Sequence, residues 1–500
     1  MAEVGRAKNK KMTPLSQKID FFKEILYNRN IYQIALPYNY TMLYRLKQFT
    51  LLLGDLACLY LGLVLALIVR YGEWPPRDLG WLTAPMGWLF FLSAVIMFIV
   101  GLYDLGQSKN SWNFYKKVLA SAAAWTALSI IYFYINPRLS GPTPKTILLL
   151  NTLFGFGLLA LWRAVYNGFV SADILKTRII FAGVMPETLE LIKLVQKEPQ
   201  RGYETAGIIV GPGEVLPEEF AVIPHGANFA GLGPASKEVG LIVVSPRLAT
   251  DPTLAKELYS ELFHQITIMT LAKLYEQLLG RIPPFTFSEA WFLNNLNEQQ
   301  KKIYDRFRII LDYIGAVILG AVFVITFPFV ALAIKLSSPG PLFFIHERVG
   351  RMGQTFKIYK YRSMKAIKDD GSAEEAGPQF AALNDHRVTV VGKFLRRTRL
   401  DEVPQFINIL KNEMGLIGPR PERPEFVAQL TAAMPFYSLR HVIKPGLTGW
   451  AQIHKSYYGT LDENLRKLEY DLFYIKNRGP LSDLAIVLRT INILVRMIGR

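Results

Sequence analysis

The chain has 500 residues, 51% of them hydrophobic, and 57 Lys and Arg against 40 Asp and Glu give it a net charge of +17. That length admits several domains, and such an apolar composition is high for a soluble protein and points to membrane segments. Cys58 is the only cysteine, so disulfides and Cys-ligated zinc are excluded; the charge suits an anionic membrane surface or anionic substrates, and no nucleic-acid motif accompanies it.

Residues 1–47 form a basic, polar tail with Lys8, Lys10, Lys11, Lys18, Lys23 and Arg29. It lacks the apolar core and cleavage site of a signal peptide and reads either as a cytoplasmic anchor on anionic lipid or as a disordered tail. Four apolar runs follow within 48–172: 48–69, 81–103, 118–135 and 147–162. Each approaches the roughly 20 residues a helix needs to cross a bilayer, and four in succession predict a four-helix transmembrane bundle rather than core helices. Asp55, near the start of the first run, is expected to reach the interface. Arg45, Lys47, Lys109, Lys116, Lys117, Lys176 and Arg178 mark one side, against Arg70, Arg77, Arg138 and Lys145 on the other, so both ends of the bundle are placed in the cytoplasm.

Residues 173–297 change pattern. Arg178–Ala182, Thr205–Val210, Leu241–Val244 and Ile266–Thr270 are short β-branched runs, with helical segments after the first and third, which predicts an open α/β sheet. The first turn, Gly183-Val184-Met185-Pro186-Glu187, lacks the G-x-G-x-x-G that brings a pyrophosphate to a helix. A structural or regulatory role is therefore expected over a dinucleotide site, with no tight binding of NAD or NADP. Residues 275–300 read as a connector.

The fifth apolar run, Leu311–Ile334, carries one charge, Asp312, at its edge. Lys301, Lys302, Arg306 and Arg308 precede it, and Lys335, Arg348, Arg351, Lys357 and Lys360 follow. Basic flanks at both ends conflict with a span, and Pro328 supplies a bend, so a re-entrant helix on the cytoplasmic face is predicted. Near the C-terminus, 481–500 reads as an interfacial helix or a plain amphipathic helix packed on the domain.

Further on, Asp401 and Glu402 stand side by side where a helix starts, with Arg396, Arg397 and Arg399 upstream and Arg420 downstream. Helix capping alone accounts for an isolated Asp-Glu-x-Pro. Acids embedded in arginines instead suggest a phosphate site in which cations hold the anion and a carboxylate acts on it. Arg396 and Arg420 are the expected phosphate clamps, with Arg348, Lys357 and Arg362 as further candidates; Arg308 and Asp312 sit where the re-entrant helix meets the surface, where they either pair structurally with each other or serve the site.

These blocks, in this order, resemble the catalytic domain of the bacterial polyprenyl-phosphate sugar-1-phosphate transferases, the monotopic phosphoglycosyl transferases. The resemblance runs from about Arg308 to the C-terminus. It rests on Ser338-Pro339-Gly340-Pro341, Glu347-Arg348-Val349-Gly350, Phe356 to Met364, Asp385-x-Arg387, Leu400 to Gln405 with Asn408 and Lys411, Gly418-Pro419-Arg420-Pro421, Lys444 to Gln452, and Asp471 with Tyr474. Two departures stand out. Lys411-Asn412-Glu413-Met414-Gly415 replaces the usual Lys-Gly-Asp-Met-Ser, and Phe327-Pro328 replaces Ser-Pro in the apolar helix.

The resemblance implies a membrane protein of α plus α/β class: a four-helix transmembrane bundle, a Rossmann-like α/β module, and a mostly helical catalytic domain, 298–500, with the re-entrant helix at 311–334. It implies that Asp401 attacks the sugar-linked phosphorus of a UDP-sugar, UMP leaves, and polyprenyl phosphate takes the phosphosugar from the enzyme. This would be the first step of exopolysaccharide, capsule or O-antigen assembly at the bacterial inner membrane. Glu402 either helps Asp401 hold Mg²⁺ or handles the acceptor's proton, and Gln405, Pro419 and Pro421 are placed at the substrate. Rival readings are a metal-dependent glycosyltransferase that moves only the sugar and a non-enzymatic polysaccharide-export scaffold; the sugar and a homodimer stay open.

Overall fold

The computed structural model describes residues 38–73, 79–107, 109–136, 145–170, 176–229, 231–232, 239–249, 251–253, 256–257, 266–296, 301–367, 387–454 and 460–495. The basic cluster of the tail, Lys8 to Arg29, and Asp385 lie outside them. Two units are distinguished, one of 1–97 with 102–274 and one of 98–101 with 275–500.

In the first unit the apolar runs become α1 (Tyr38–Tyr71), α2 (Leu79–Val100), α3 (Trp112–Ile135) and α4 (Lys145–Val170). Of these, α1, α3 and α4 contain stretches long and apolar enough to cross a membrane, while the described apolar part of α2 is shorter, Ala84–Val100. Leu51, Asp55, Leu59, Leu63 and Leu67 recur every fourth residue of α1 and are all fully buried. Here α1 and α4 approach backbone to backbone: a Cβ on Gly62 would stand 2.4 Å from the Gly155 Cα. Small residues at such a crossing let two helices pack closely.

Asp55 does not reach the interface. It is buried against Arg163 of α4, whose Nε donates to Oδ1 at 2.9 Å and whose Nη1 donates to the Leu102 carbonyl at 2.7 Å. An apolar face one turn deep on either side leaves the acid no water, so it takes a cation from the neighbouring helix instead.

After α4 the open sheet appears as expected from the alternating pattern. Five parallel strands run in the order β3-β2-β1-β4-β5: β1 Thr177–Ala182, β2 Tyr203–Ile209, β3 His225–Gly226, β4 Leu241–Val244 and β5 Thr267–Thr270. Fully buried Leu241 to Val244 is the continuous apolar run of a central parallel strand. The helix α5 (Pro186–Lys197) follows β1, and the short α6 (Pro246–Ala249) follows β4. At the carboxyl end of the sheet, Glu214 Oε2 accepts hydrogen bonds from the Val184 N–H at 2.7 Å and the Gly211 N–H at 2.9 Å. Gly183, at φ +105°, lies so close to Ser245 that a Cβ would fall 2.0 Å from Ser245 Oγ. The other end of α5 meets the loop after α2: Lys109 Nζ donates to the Lys197 carbonyl, and Gln200 Nε2 to that of Gly106.

The second unit begins inside α7 (Leu271–Leu279), so residues read as a connector belong to its core. Buried Arg281 donates to Glu469 at 3.0 Å, and Ile282 and Phe292, the latter on α8 (Glu289–Asn295), pack with Leu468, Leu472 and Ile475. Then comes α9 (Lys302–Ser337), a continuous 36-residue helix with Pro328 inside it, so the bend expected at Pro328 does not break the helix, and by length and composition α9 too could cross a membrane. Its buried positions Arg308, Asp312, Ala316, Val330 and Ile334 mark one stripe, while Phe307, Ile314, Ile318, Ile325, Phe329 and Leu336 on other faces are exposed.

Along that stripe lie the remaining elements. These are the antiparallel hairpin of β6 (Phe343–Val349) and β7 (Thr355–Tyr361), α10 (Val390–Thr398), and α11 (Phe406–Leu410), together with the parallel pair β8 (Gly415–Ile417) and β9 (Gly446–Thr448). Behind them are α12 (Pro424–Ala433), α13 (Trp450–His454), α14 (Leu461–Asn477) and α15 (Pro480–Val495). Ala316 packs with Phe356, Ile358 and Met414, and farther on Val330 and Ile334 pack with Tyr361 and Leu395. Both ends of α9 therefore rest on one domain.

Candidate active site

The chain reaches the two acids through an unusual turn. α10 ends at Arg399, in the left-handed conformation at φ 56°, and a six-residue 3₁₀ helix, Leu400–Gln405, follows before α11. A left-handed non-glycine residue is uncommon and marks a backbone held by its surroundings. It turns Asp401 and Glu402 toward β7, at the irregular helix start that two adjacent acids need to share a site.

Glu402 is buried, and three cations converge on it. Lys360 Nζ stands 2.8 Å and Arg420 Nη2 2.7 Å from Oε1, and Arg399 Nη1 lies 3.4 Å from Oε2. Burial opposes its charge, yet Arg420, Lys360 and Arg399 together hold its carboxyl well below the usual range. Asp401 has the opposite fate. It stays partly exposed and makes no hydrogen bond or ion pair among the described residues, so it does not cap the helix. Burial first, then the neighbouring Glu402 charge, push its carboxyl up to about 6, against the pull of Lys360, Arg396 and Arg420. Two adjacent carboxylates are thus separated: one neutralised by ion pairs, one open.

The predicted basic residues divide three ways. Arg420 meets Glu402, and Arg396 is among the charges acting on Asp401, its Nε donating to Ser363 Oγ at 2.8 Å. Arg348 lies farther back, donating to the Pro421 carbonyl at 3.4 Å and standing 3.7 Å from Glu422. Lys357 and Arg362 are not brought to the acids. Lys357 is exposed, and Arg362 is buried with Nη2 donating to the Ser338 carbonyl at 2.7 Å and Nη1 to that of Pro339. Arg362 thus ties down the chain where α9 ends.

In the sequence Lys360 stands out only as a basic flank of the apolar helix, not as a site residue. Strand alternation gives only a partial signal: Lys360 shares the parity of buried Phe356 and Ile358, but the alternation lapses at buried Tyr361, which shares the parity of exposed Lys357. Gln405 is buried at 2% exposure, with no partner for Nε2 among the described residues. Pro419 and Pro421 use their carbonyls, toward the Gly446 N–H at 3.0 Å and Arg348 respectively. Arg308 and Asp312 do not pair with each other. Asp312 Oδ1 accepts from the Leu416 N–H at 2.8 Å and Arg308 donates to the Ile417 carbonyl, so both grip β8.

A second charge network supports the Gly-Pro-Arg-Pro segment. Arg440, 1% exposed, donates Nε to Asp471 at 3.0 Å and Nη2 to the Arg420 carbonyl at 2.9 Å. Lys467 donates to Glu422, and although desolvation opposes its charge, Lys467 first among several cations holds that half-buried carboxyl down at about 2.

No cluster of three or more His, Cys, Asp or Glu occurs among the described residues. The donor set therefore fits Mg²⁺ only as an ion that arrives with phosphate oxygens, one or two carboxylates being its usual protein share. Glu402 has both oxygens engaged, which leaves the partly exposed Asp401 as the carboxylate that would hold such an ion.

Comparison with known proteins decides the family. The family described as bacterial sugar transferase matches residues 303–497. A UDP-glucose:undecaprenyl-phosphate glucose-1-phosphate transferase of Klebsiella pneumoniae is 32% identical over 343 residues, covering 66% of this chain and 70% of that protein. The chain belongs to the bacterial sugar transferase family. A UDP-N-acetylgalactosamine-undecaprenyl-phosphate N-acetylgalactosaminephosphotransferase of Aeromonas hydrophila is 39% identical over 240 residues, 47% of this chain and 53% of that protein. The Escherichia coli (strain K12) UDP-glucose:undecaprenyl-phosphate glucose-1-phosphate transferase is 44% identical over 164 residues, 32% of this chain and 34% of its own length. The chain thus spans about half of the Aeromonas protein and a third of the Escherichia coli one.

Proposed function

We propose that this sugar transferase moves a sugar 1-phosphate from a UDP-sugar to undecaprenyl phosphate at the cytoplasmic face of a bacterial inner membrane, through a covalent intermediate on Asp401. The observation that carries the reading is the division of labour between the acids. Glu402 is saturated by Lys360, Arg420 and Arg399, whereas Asp401 is open and beside cations. An Asp401 oxygen attacks the sugar-linked phosphorus, the P–O bond to the other phosphate breaks, and UMP leaves with the bridging oxygen. An oxygen of undecaprenyl phosphate then attacks the same phosphorus and expels the Asp401 carboxylate, giving the undecaprenyl diphosphate sugar. Arg396 and Arg420 neutralise the phosphates, and Mg²⁺ held by Asp401 and the diphosphate would add to that neutralisation. The names of the Klebsiella and Aeromonas relatives favour this substrate class. The test is nucleotide release across a panel of UDP-sugars with undecaprenyl phosphate: UMP is expected, and UDP would show that only the sugar moves.

The re-entrant path of α9 is part of the same reading. Arg308 and Asp312 grip β8 near one end, and at the other Arg362 holds Ser338 and Pro339 while Ile334 packs on the core. A polar domain cannot stand on both sides of a bilayer, so both ends belong on one face. Cysteines placed at Lys302 and Lys357 in a Cys58→Ser background should both label from the cytoplasmic side alone; one label from each side would remove the re-entrant path.

The Rossmann-like sheet is read as a structural module. Phosphates bind at the first strand-to-helix turn of such sheets, and there Glu214 already occupies the Val184 and Gly211 N–H groups. The full-length protein should show no NAD or NADP binding by calorimetry, and sub-micromolar affinity for either would reverse this reading.

A further inference from the structure

β7 and the residues just after it serve the two acids differently. Lys360 goes to Glu402, and three residues later the chain meets α10. That meeting is tight: a Cβ on Gly392 would fall 1.8 Å from the Ser363 carbonyl oxygen, and the same oxygen accepts from the Thr389 N–H at 3.2 Å. With the backbone so fixed, the buried Ser363 hydroxyl accepts from Arg396 Nε at 2.8 Å. A guanidinium is planar, so a bond at Nε sets the plane in which Nη1 and Nη2 lie.

We propose that Ser363 is a positioning residue for phosphosugar transfer, its hydroxyl orienting the Arg396 guanidinium toward the donor phosphate at Asp401. The proposal rests on the reaction proposed above. Ser363 itself touches no reacting atom. Its effect passes through Arg396, whose charge already acts on Asp401, and an arginine aimed at a phosphoryl group is worth most where negative charge develops in transfer. Its loss should therefore appear in kcat more than in KM for the UDP-sugar.

The test uses the full chain in nanodiscs with a UDP-sugar that the wild type turns over, following UMP release. Ser363→Ala should lower kcat on the order of tenfold to a hundredfold, the scale of a misplaced group near the reacting centre. Ser363→Thr, which keeps the hydroxyl, should come back to within about threefold. In an Arg396→Ala background, Ser363→Ala should cost less than about twofold more, because residues acting through one another do not add. If Ser363→Ala does not fold, Ser363→Cys, nearly the same size with a weak acceptor, should show the same pattern at smaller amplitude.

Undiminished kcat in folded Ser363→Ala, a loss confined to KM, or losses at 363 and 396 that multiply would overturn the proposal while leaving the reaction standing. A wild type that releases no UMP from any UDP-sugar would instead overturn the reaction, and this role with it.

Discussion

Asp401→Asn should abolish turnover, by on the order of a thousandfold or more as expected for loss of a nucleophile, while leaving the protein at pH 7 at least as stable as the wild type, and more stable if nothing else changes. The two halves of that expectation have separate causes. Asparagine cannot form the acyl phosphate, so neither UMP nor an adduct should appear. Stability follows from the direction of the Asp401 shift. Its carboxyl is pushed from 3.8 to about 6 in the fold, by burial first and then by Glu402. Between those values the folded state binds the proton more tightly than the unfolded chain, so its contribution to stability is lost as pH rises through that window and is constant above it. At pH 7 the wild type carries that cost and the neutral amide does not. Nor is a hydrogen bond lost, since Asp401 makes none among the described residues. Wild-type enzyme given UDP-sugar and Mg²⁺ without acceptor should release about one UMP per site and gain the mass of a phosphosugar on the Asp401 peptide. The rate of that burst should fall below about pH 6 as Asp401 takes up a proton. Full activity of Asp401→Asn, with no adduct on the wild type, would end the covalent mechanism.

The catalytic segment was legible because its chemistry is local. Asp401, Glu402, Arg399 and Arg396 lie within one turn-helix boundary, and Arg420 follows in a short motif. The open sheet was legible for the same reason, since Leu241–Val244 is an uninterrupted buried strand in sequence as in space. What escaped notice depends on distant partners. Whether a basic residue meets an acid, solvent or a carbonyl is set by what the fold brings to it: Lys360 meets Glu402 and Lys357 stays exposed, while Arg362, just past β7, meets the Ser338 and Pro339 carbonyls. Arg308 and Asp312 are four residues apart, an ideal spacing for a pair on one helix, yet each finds a backbone group of β8, about a hundred residues away in the chain, that outcompetes the other. The Gly-Pro-Arg-Pro segment likewise draws its support from Arg440 and Lys467, residues no local motif connects to it.

The same dependence on distant partners gives the second large effect, in the helical bundle. Arg163→Met should destabilise the first unit by about 3–5 kcal/mol, the usual cost of stripping one partner from a buried ion pair. Asp55 and Arg163 are both fully buried, 108 residues apart in the chain, and held by two donor–acceptor contacts between carboxylate and guanidinium. Without Arg163 the Asp55 charge has neither water nor cation, among leucines at 51, 59 and 63. Replacing both, as Asp55→Leu with Arg163→Met, removes the stranded charge and should recover most of the loss, because buried pairs exchanged for apolar groups of similar volume are often neutral. Recovery should stop short by about 1 kcal/mol, the typical net worth of one hydrogen bond, since Arg163 also donates to the Leu102 carbonyl. That bond fixes the loop whose Gly106 carbonyl and Lys109 side chain meet the end of α5. The double variant should therefore melt nearly like the wild type yet show faster hydrogen exchange in residues 102–109. Denaturation in mixed detergent micelles, with exchange read by mass spectrometry, separates the outcomes. A single variant as stable as the wild type, or a double variant as unstable as the single, would mean that the pair is not what holds α1 to α4.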